Sequence, residues 1–249
     1  MLPRFYAPDL DPDLASVMLP ADEARHLTRV LRLGAGAEVA VFDGRGAEYR
    51  AVVEAAVRET ASLRIVERLP ATPSPVVRVH LVLAVLKGDS MDAAVRDATM
   101  MGAASIIPVL SAHTDVKPSF ARRPETLARW GRVAMASVKQ CRRATLPVIP
   151  ETQNLDDWLA STILGETRLM FVEPSAAAAT LPLRAALATP PPSTVTILLG
   201  PEGGWSAEEL EAATAAGCVL VMLGPLTLRA DSMPVAAMAA IAAVCAATA

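Results

Sequence analysis

The sequence predicts a two-domain α/β protein, in which a small β-rich domain precedes a larger domain built on a parallel sheet. Short apolar runs separated by turn residues fill the first 70 positions, whereas longer apolar strands alternate with helical segments afterwards. The second pattern is typical of parallel sheets flanked by helices. A proline-rich stretch at residues 69–75 separates the two patterns, so we expect domains at residues 1–72 and 73–249.

The first domain is predicted to be a small β-barrel. Residues 43–46, Asp-Gly-Arg-Gly, are a strong hairpin signal between two apolar runs. Leu27, Val30 and Leu31 recur at helical spacing, so residues 22–33 are expected to form a short helix. The predicted strands contain residues 17–19, 39–42, 49–53 and 63–66.

The second domain is predicted to start with a fully apolar strand and to continue as helices and strands in alternation. Gly102 is expected to end the helix that follows the first strand. The later strands are expected to be as apolar as the first, because both faces of a parallel sheet are buried. The predicted strands are 76–86, 105–110, 168–173, 195–199 and 218–223, with helices at 154–160 and from 234 onwards.

Between these elements, residues 117–143 carry a local positive charge. The segment has eight Lys or Arg residues and one Glu, a net charge of +7 in a chain whose net charge is -3. Four of the cations share one side of a helix at about 100° per residue, opposite an apolar stripe. Such a helix suits contact with nucleic-acid phosphates, and an ordinary solvated face is the alternative. The four cations are Arg129, Arg132, Lys139 and Arg143.

The C-terminal stretch contains two strands that each end in a glycine-proline loop. The first breaks at Gly200-Pro201 and the second at Gly224-Pro225, and a helix between them begins with a Ser-x-x-Glu capping box at residues 206–209. Gly217 is expected to end that helix in the left-handed conformation. We expect the two strands to lie side by side, so that their loops form a crevice at the carboxyl ends of the sheet, where open α/β folds bind ligands.

Composition and motifs exclude several other classes. The three cysteines are widely spaced and odd in number, which indicates neither a disulfide framework nor a zinc site, and no metal is expected. The apolar stretch 234–249 is too short and too rich in Ala to span a bilayer, and no N-terminal signal is visible, so we expect a cytoplasmic protein without a membrane partner. GPEGG lacks the lysine of a P-loop and the spacing of a dinucleotide fingerprint.

The two loops resemble those of a known family. GPEGGWSAEEL (200–210), LGPLTLR (223–229) and the helix after them resemble the cofactor-binding end of the SPOUT methyltransferases. Within that superfamily they are most similar to the RsmE-type enzymes, which methylate N3 of a uridine in 16S ribosomal RNA. Arg4-Phe5-Tyr6 and Phe42-Asp43-Gly44 resemble the PUA-like RNA-binding domain of the same enzymes, so the resemblance covers nearly the whole chain.

This resemblance implies a fold, a reaction and a set of site residues. The fold is a PUA-like β-barrel followed by an α/β domain with a parallel sheet and a C-terminal trefoil knot. The reaction is methyl transfer from S-adenosylmethionine, by a homodimer that binds 16S rRNA or the small ribosomal subunit. The implied cofactor-binding residues are Leu199, Gly200, Pro201, Glu202, Gly203, Gly204, Met222, Leu223, Gly224 and Leu228. The implied RNA-binding residues are Arg4, Arg25, Arg29, Arg32, Lys87, Arg129, Arg132, Lys139, Gln140 and Arg143.

Arg229 and Asp231 are the predicted catalytic residues. Negative charge develops on the uracil ring as N3 loses its proton, and a fixed cation near the flanking carbonyl oxygens lowers that barrier. Arg229 directly follows the second glycine-proline loop and is assigned this role. Asp231 is expected to orient Arg229 or to help accept the proton.

The chain departs from the family pattern at five positions that bear on this interpretation. Met100 and Lys139 stand where the family has Glu, Arg142 where it has Gly, Ala230 where it has Thr, and Asp231 where it has Glu. Two alternatives therefore stay open. One is a SPOUT methyltransferase that acts on another RNA such as tRNA, and the other is a non-catalytic RNA-binding or ribosome-assembly protein with the same fold.

Overall fold

The structure, a computed structural model, describes residues 2–11, 13–70, 72–73, 75–161, 167–176, 179–187, 190 and 192–246. The chain divides into two compact units. The first comprises Met1–Pro73 together with Val138–Leu146, and the second comprises Ser74–Ser137 with Pro147–Ala249. The sequence pattern predicts one boundary, near residue 72. It does not predict that residues 138–146 return to the first unit.

The first unit contains a five-stranded mixed sheet with the strand order β1-β3-β4-β5-β2. Strands β1 and β3 pair in parallel and the other neighbours are antiparallel, which confirms the predicted hairpin at residues 43–46. Two register shifts between β4 and β5 mark bulges, which bend strands. The predicted helix begins as α1 and continues as one π-helical turn, His26–Val30. The elements are β1 (Arg4–Tyr6), β2 (Ser16–Met18), α1 (Ala21–Arg25), β3 (Glu38–Phe42), β4 (Glu48–Val57) and β5 (Thr60–Arg68).

A buried arginine joins β1 to the returning segment of the first unit. Arg4 donates from Nε and Nη2 to the carboxylate of Glu48, at 2.8 and 3.1 Å. Its Nη1 donates to the carbonyl oxygens of Val138 and Lys139 at 2.9 and 3.2 Å, and Nη2 also donates to that of Arg143 at 3.0 Å. A guanidinium has five N–H donors, so every one of them has an acceptor.

The second unit contains a seven-stranded sheet with the order β10-β12-β9-β11-β6-β7-β8, and all of its pairings are parallel. This confirms the predicted parallel sheet. The strands are β6 (Arg78–Ala84), β7 (Ser105–Leu110), β8 (Gln153–Asn154), β9 (Thr167–Phe171), β10 (Leu181–Pro182), β11 (Thr194–Leu199) and β12 (Val219–Met222). The helices are α2 (Asp89–Met100), α3 (Pro118–Ala121), α4 (Pro124–Cys141), α5 (Leu155–Ala160), α6 (Leu183–Ala186), α7 (Ala207–Ala215) and α8 (Met233–Ala246).

Both faces of this sheet are buried, which explains the continuous apolar runs. Alternate residues along β11 enter different clusters: Ile197 and Leu199 pack with α2 and α8 on one face, and Leu198 packs with α5 and α7 on the other. The observed capping box of α7 and the left-handed φ of +82° at Gly217 confirm the predicted limits of that helix. In the part of the chain that the structure describes, every helix is too short or too polar to span a bilayer.

One prediction about the sheet is wrong. The two strands that end in glycine-proline loops, β11 and β12, are not neighbours, because β9 lies between them and pairs with both. Three loops rather than two therefore meet at this part of the carboxyl edge of the sheet.

Candidate active site

A cavity of about 390 Å³ opens at the carboxyl ends of β9, β11 and β12. Its walls are the three loops that follow these strands, at residues 171–174, 200–205 (without Gly203) and 223–231 (without Pro225), with Ser90 and Met233 from two helices. This volume lies within the range of roughly 300–1,000 Å³ that is usual for small-ligand pockets. The crevice predicted from the two glycine-proline loops is therefore present, and β9 contributes a third wall.

Glycines allow the loop after β11 to pack closely against side chains. A Cβ atom at position 200 would lie 3.1 Å from the indole ring of Trp205, and Gly204 has a φ of +69°. The indole Nε1 of Trp205 donates to the carbonyl oxygen of Phe171 at 3.0 Å. Trp205 thus joins the loop after β11 to the end of β9 while its ring lies against Gly200. Gly200 and Gly204 thus let main-chain atoms form part of the cavity wall.

The loop after β12 leaves main-chain donors available to a ligand. The N–H groups of Leu226, Thr227 and Leu228 have no acceptor among the described residues. Leu226 is 77% exposed and Leu228 is 41% exposed, although both residues are apolar. Main-chain polar groups need a partner when a ligand covers them, so this loop suits a ligand with hydrogen-bond acceptors and an apolar part.

Arg229 and Asp231 line the cavity and bind each other. The guanidinium Nε and Nη2 donate to the two carboxylate oxygens at 3.2 and 3.0 Å, and Ser232 Oγ donates to the carboxylate at 3.4 Å. The bond from Arg229 is the main cause that lowers the pKa of Asp231, and the same bond raises the pKa of Arg229. The side chain of Arg229 is 79% exposed and that of Asp231 is 18% exposed. The carboxylate is thus ionised at neutral pH, and the guanidinium is accessible from solvent.

Glu202 connects the cavity to the end of β6. Its Oε1 accepts the main-chain N–H of Lys87 at 3.2 Å, and its negative charge raises the pKa of Arg229. The ammonium of Lys87 lies 2.6 Å from Asp115, and this bond raises its pKa. Lys87 itself does not line the cavity.

Most of the predicted cofactor-binding residues line this cavity. These seven are Gly200, Pro201, Glu202, Gly204, Leu223, Gly224 and Leu228. The other three lie elsewhere: Leu199 is buried in the core, Gly203 packs against His113, and Met222 pairs with Pro182 at the end of β12. Sequence reasoning missed residues 171–174, although Glu173-Pro174, at the end of the predicted strand 168–173, was an available signal.

The predicted RNA-binding residues fall into two groups. Arg25, Arg29, Arg32, Arg132 and Gln140 are exposed, and Arg25 lies 3.5 Å from Glu59. Each of the other five binds residues of its own unit, as described above for Arg4. These five are Arg4, Lys87, Arg129, Lys139 and Arg143.

The basic stripe predicted on α4 is largely neutralised. Arg129 binds Asp89 and Asp92 at 3.0 and 2.6 Å, and Lys139 forms an ion pair with the buried Glu23. Arg143 lies beyond the helix, donates to Thr145 Oγ1 at 3.1 Å, and has its pKa lowered by burial. The stripe expected from the sequence is therefore smaller in the structure, because acidic side chains distant in sequence reach it.

Comparisons with known proteins agree with this geometry. The family model of the RNA methyltransferase domain matches residues 72–242, and that of the RNA methyltransferase PUA domain matches residues 19–66. The fold, the cavity and these matches define the class of an RNA methyltransferase with an N-terminal PUA domain. The cavity-lining loops all lie within the first match.

Individual relatives make the class more specific. The ribosomal RNA small subunit methyltransferase E of Mycobacterium bovis is 31% identical over 242 residues, which cover 95% of this chain and 90% of that protein. Its counterpart in Synechocystis is 31% identical over 91% of this chain and 73% of that protein. The chain belongs to the family of ribosomal RNA small subunit methyltransferases E.

Solved structures support the same family. The ribosomal RNA small subunit methyltransferase E of Neisseria gonorrhoeae, bound to S-adenosyl methionine, has a TM-score of 0.87 and 27% identity, with 98% of each chain covered. A probable rRNA methyltransferase from Porphyromonas gingivalis has a TM-score of 0.85 and 29% identity, with 99% of each chain covered.

In the described residues of the present chain, no group of three or more His, Cys, Asp or Glu side chains could hold a metal ion.

Proposed function

We propose that this protein transfers a methyl group from S-adenosylmethionine to N3 of a uridine in 16S ribosomal RNA. The observation that carries the proposal is the cavity at the carboxyl ends of β9, β11 and β12, with an accessible guanidinium in its wall. Membership of the methyltransferase E family and the cofactor bound by the relative from Neisseria gonorrhoeae support it.

The residues of the cavity fit an adenosyl group. Unbonded main-chain N–H groups at 226–228 would bind the acceptor atoms of an adenine, and Leu226 and Leu228 would cover its apolar surface. Gly200 and Gly204 let the main chain approach the ligand closely. When bound there, S-adenosylmethionine supplies a methyl group activated by a sulfonium.

The protein contributes positioning and charge stabilisation. We assign to Arg229 the stabilisation of the negative charge that spreads over the uracil ring as N3 loses its proton to solvent water, since a fixed cation lowers that barrier. Asp231 holds the guanidinium through two hydrogen bonds and so fixes its orientation. A carboxylate with a lowered pKa is a weak proton acceptor, which favours orientation over general-base catalysis for Asp231.

The RNA is positioned, in this proposal, by exposed cations of the first unit and of α4. Arg25, Arg29, Arg32 and Arg132 have accessible side chains, and Gln140 is an exposed amide. Cations of this kind bind phosphates and hold the substrate in register without reading the base.

We further propose that the protein acts as a homodimer in the cytoplasm, with a C-terminal trefoil knot. Helix α8 has no charged residue and is apolar on all sides, yet Val235 is 38% exposed. A helix that is apolar all round is normally buried, so a second copy is expected to cover it. Sedimentation equilibrium tests the dimer, and Val235→Glu should shift it towards the monomer.

The experiment that tests the function has two steps. Calorimetric titration of the protein with S-adenosylmethionine should show one site per chain, and the absence of binding would exclude the enzyme and favour a non-catalytic RNA-binding protein. Mass mapping of rRNA from a deletion strain should then show the loss of one N3-methyluridine in 16S rRNA. Loss of a modified nucleotide in tRNA instead would establish the other RNA target.

A further inference from the structure

A loop outside the cavity contacts the glycines that shape its wall. Residues 111–115 follow β7, and none of them lines the cavity. The Nδ1 atom of His113 lies 3.0 Å from the carbonyl oxygen of Gly203 and 3.1 Å from that of Gly204. Because a carbonyl oxygen only accepts hydrogen bonds, Nδ1 carries a hydrogen and donates to both. The neutral ring with this tautomer and the protonated ring both provide that donor.

The loop that carries the imidazole is anchored at its other side. Glu209, which is 7% exposed, accepts the N–H of Ala112 with Oε1 at 2.8 Å and the N–H of Ser206 with Oε2 at 2.8 Å. Ser111 donates its N–H to Thr114 Oγ1 at 3.0 Å. A single buried carboxylate therefore joins this loop to the start of α7, so the imidazole is held on a fixed support.

Gly203 is fitted to the His113 side chain by shape as well as by hydrogen bonding. A Cβ atom at position 203 would lie 2.9 Å from Cβ of His113, a distance that side-chain carbons essentially never adopt. Gly204, the next residue, has a positive φ and lines the cavity. The side chain of His113, which lies outside the cavity, thus binds the main chain at Gly203 and at the cavity-lining Gly204.

We propose that His113 is a positioning residue of the cofactor site. By holding the carbonyl groups of Gly203 and Gly204, it fixes the main chain that lines the cavity, and so raises the affinity for S-adenosylmethionine without touching it. The inference rests on the proposed function, since it takes this cavity as the site of that cofactor. Because Arg229 and Asp231 are not among its partners, His113 should affect binding of the cofactor much more than turnover.

Three substitutions at position 113 separate the hydrogen bond from the bulk of the side chain. His113→Asn keeps an N–H donor near the position of Nδ1, His113→Asp has the same shape but directs a charged acceptor at two carbonyl oxygens, and His113→Ala removes the group. From the usual strength of a hydrogen bond, we expect the Kd for S-adenosylmethionine to rise about three- to tenfold in His113→Ala. It should rise further in His113→Asp and stay near the wild-type value in His113→Asn.

The measurements are calorimetric Kd values, thermal melting of each variant, and kcat at saturating cofactor. The matched control is His26→Ala, which removes another exposed histidine, in the first unit. This variant should bind S-adenosylmethionine as the wild type does. Equal Kd values for the Asn and Asp variants would overturn the proposal, as would a loss of kcat at saturating cofactor with unchanged Kd. If His113→Asp does not fold, the Asn and Ala variants decide, and equal affinities overturn the proposal.

The outcomes also distinguish this inference from the function on which it rests. A wild-type protein that does not bind S-adenosylmethionine overturns both. A wild-type protein that binds it, together with an unchanged Kd in His113→Ala, overturns the positioning role alone.

Discussion

Arg229 and Asp231 have different roles in the proposed mechanism. The guanidinium is accessible from the cavity, whereas the carboxylate is mostly covered and holds the guanidinium through two bonds. The sequence predicts both residues as catalytic, because the motif LGPLTLR and the acid two positions after it are local features. The sequence left open whether Asp231 orients Arg229 or helps to accept the proton, because the distance between two side chains two residues apart depends on the turn that holds them.

Replacement of Arg229 by Ala should leave the Kd for S-adenosylmethionine within a few-fold and lower kcat by roughly 10²–10³, the usual cost of removing one group that stabilises charge in a transition state. The measurement is steady-state methylation of rRNA at saturating cofactor, with calorimetry for the Kd. Arg184→Ala, which removes an exposed arginine of α6, is the matched control. Unchanged turnover in Arg229→Ala would remove this residue from the mechanism.

The pH dependence of turnover follows from the lowered pKa of Asp231. A carboxyl group with a lowered folded pKa stabilises the native site above its unfolded value of about 3.9, and that stability is lost as the pH falls through the folded pKa. We therefore expect no step from Asp231 in the kcat–pH profile between about pH 5 and 9. Asp231→Asn should lower kcat without changing the shape of the profile. Loss of an acidic limb in this variant would instead identify Asp231 as the proton acceptor.

Arg4 shows where residue-level prediction from sequence fails. The assignment of Arg4 to RNA binding rests on the resemblance of Arg4-Phe5-Tyr6 to the RNA-binding domain of the family. In the structure its five donors bind Glu48 and three carbonyl oxygens that lie more than 130 positions later. No local pattern reports partners at that separation, so a buried structural arginine and an RNA-binding one look alike in the sequence.

The start of α7 shows what the sequence predicts well at the level of elements. The Ser-x-x-Glu pattern predicted a capping box, and both of its hydrogen bonds are present at Ser206 and Glu209. A capping box is built from residues three positions apart, so its chemistry is complete in the local sequence. The order of strands is different, because it is set by long-range pairing. The insertion of β9 between β11 and β12 could therefore not be inferred from the same stretch.

Removal of the Ser206 side chain and removal of the Glu209 side chain should lower the free energy of unfolding by different amounts. Ser206→Ala removes one cap and should lower the free energy of unfolding by about 1 kcal/mol. Glu209→Ala should cost more, because it leaves the N–H groups of Ser206 and Ala112 without their acceptor. It should also weaken binding of S-adenosylmethionine, since it releases the loop that carries His113. Urea unfolding and calorimetry measure the two effects, and equal losses for both variants would contradict this account.

On the scale of the whole molecule, the distribution of charge is less polarised than the sequence suggests. The sequence predicts a basic stripe of four cations on one side of α4, but Arg129 and Lys139 are bound to acidic side chains from other elements. The resemblance and the strand patterns predicted a β-rich first domain and a parallel-sheet second domain, because the fold of each domain follows from the elements along its whole length. Surface charge depends on which elements meet, so it could not be predicted.

Arg132 and Arg129 should therefore differ in their contribution to RNA binding. Arg132→Ala should weaken binding and reduce the slope of log K against log salt by about one, because it removes one of the cations proposed to bind phosphate. Arg129→Ala should change the slope less, since that guanidinium is already bound to Asp89 and Asp92. Fluorescence anisotropy with a 16S rRNA fragment at several salt concentrations measures both slopes. A larger effect of Arg129→Ala would show that RNA displaces the two carboxylates.

The return of residues 138–146 to the first unit has a consequence for synthesis of the protein. Arg4 finds three of its carbonyl acceptors in that segment, so the β1 strand cannot complete its contacts when residue 73 leaves the ribosome. At translation rates of roughly 5–20 residues per second, the missing acceptors emerge roughly 4–15 s later. During this interval the nascent N-terminal unit carries an incompletely paired guanidinium, and it can finish folding only after more than half of the chain has been made.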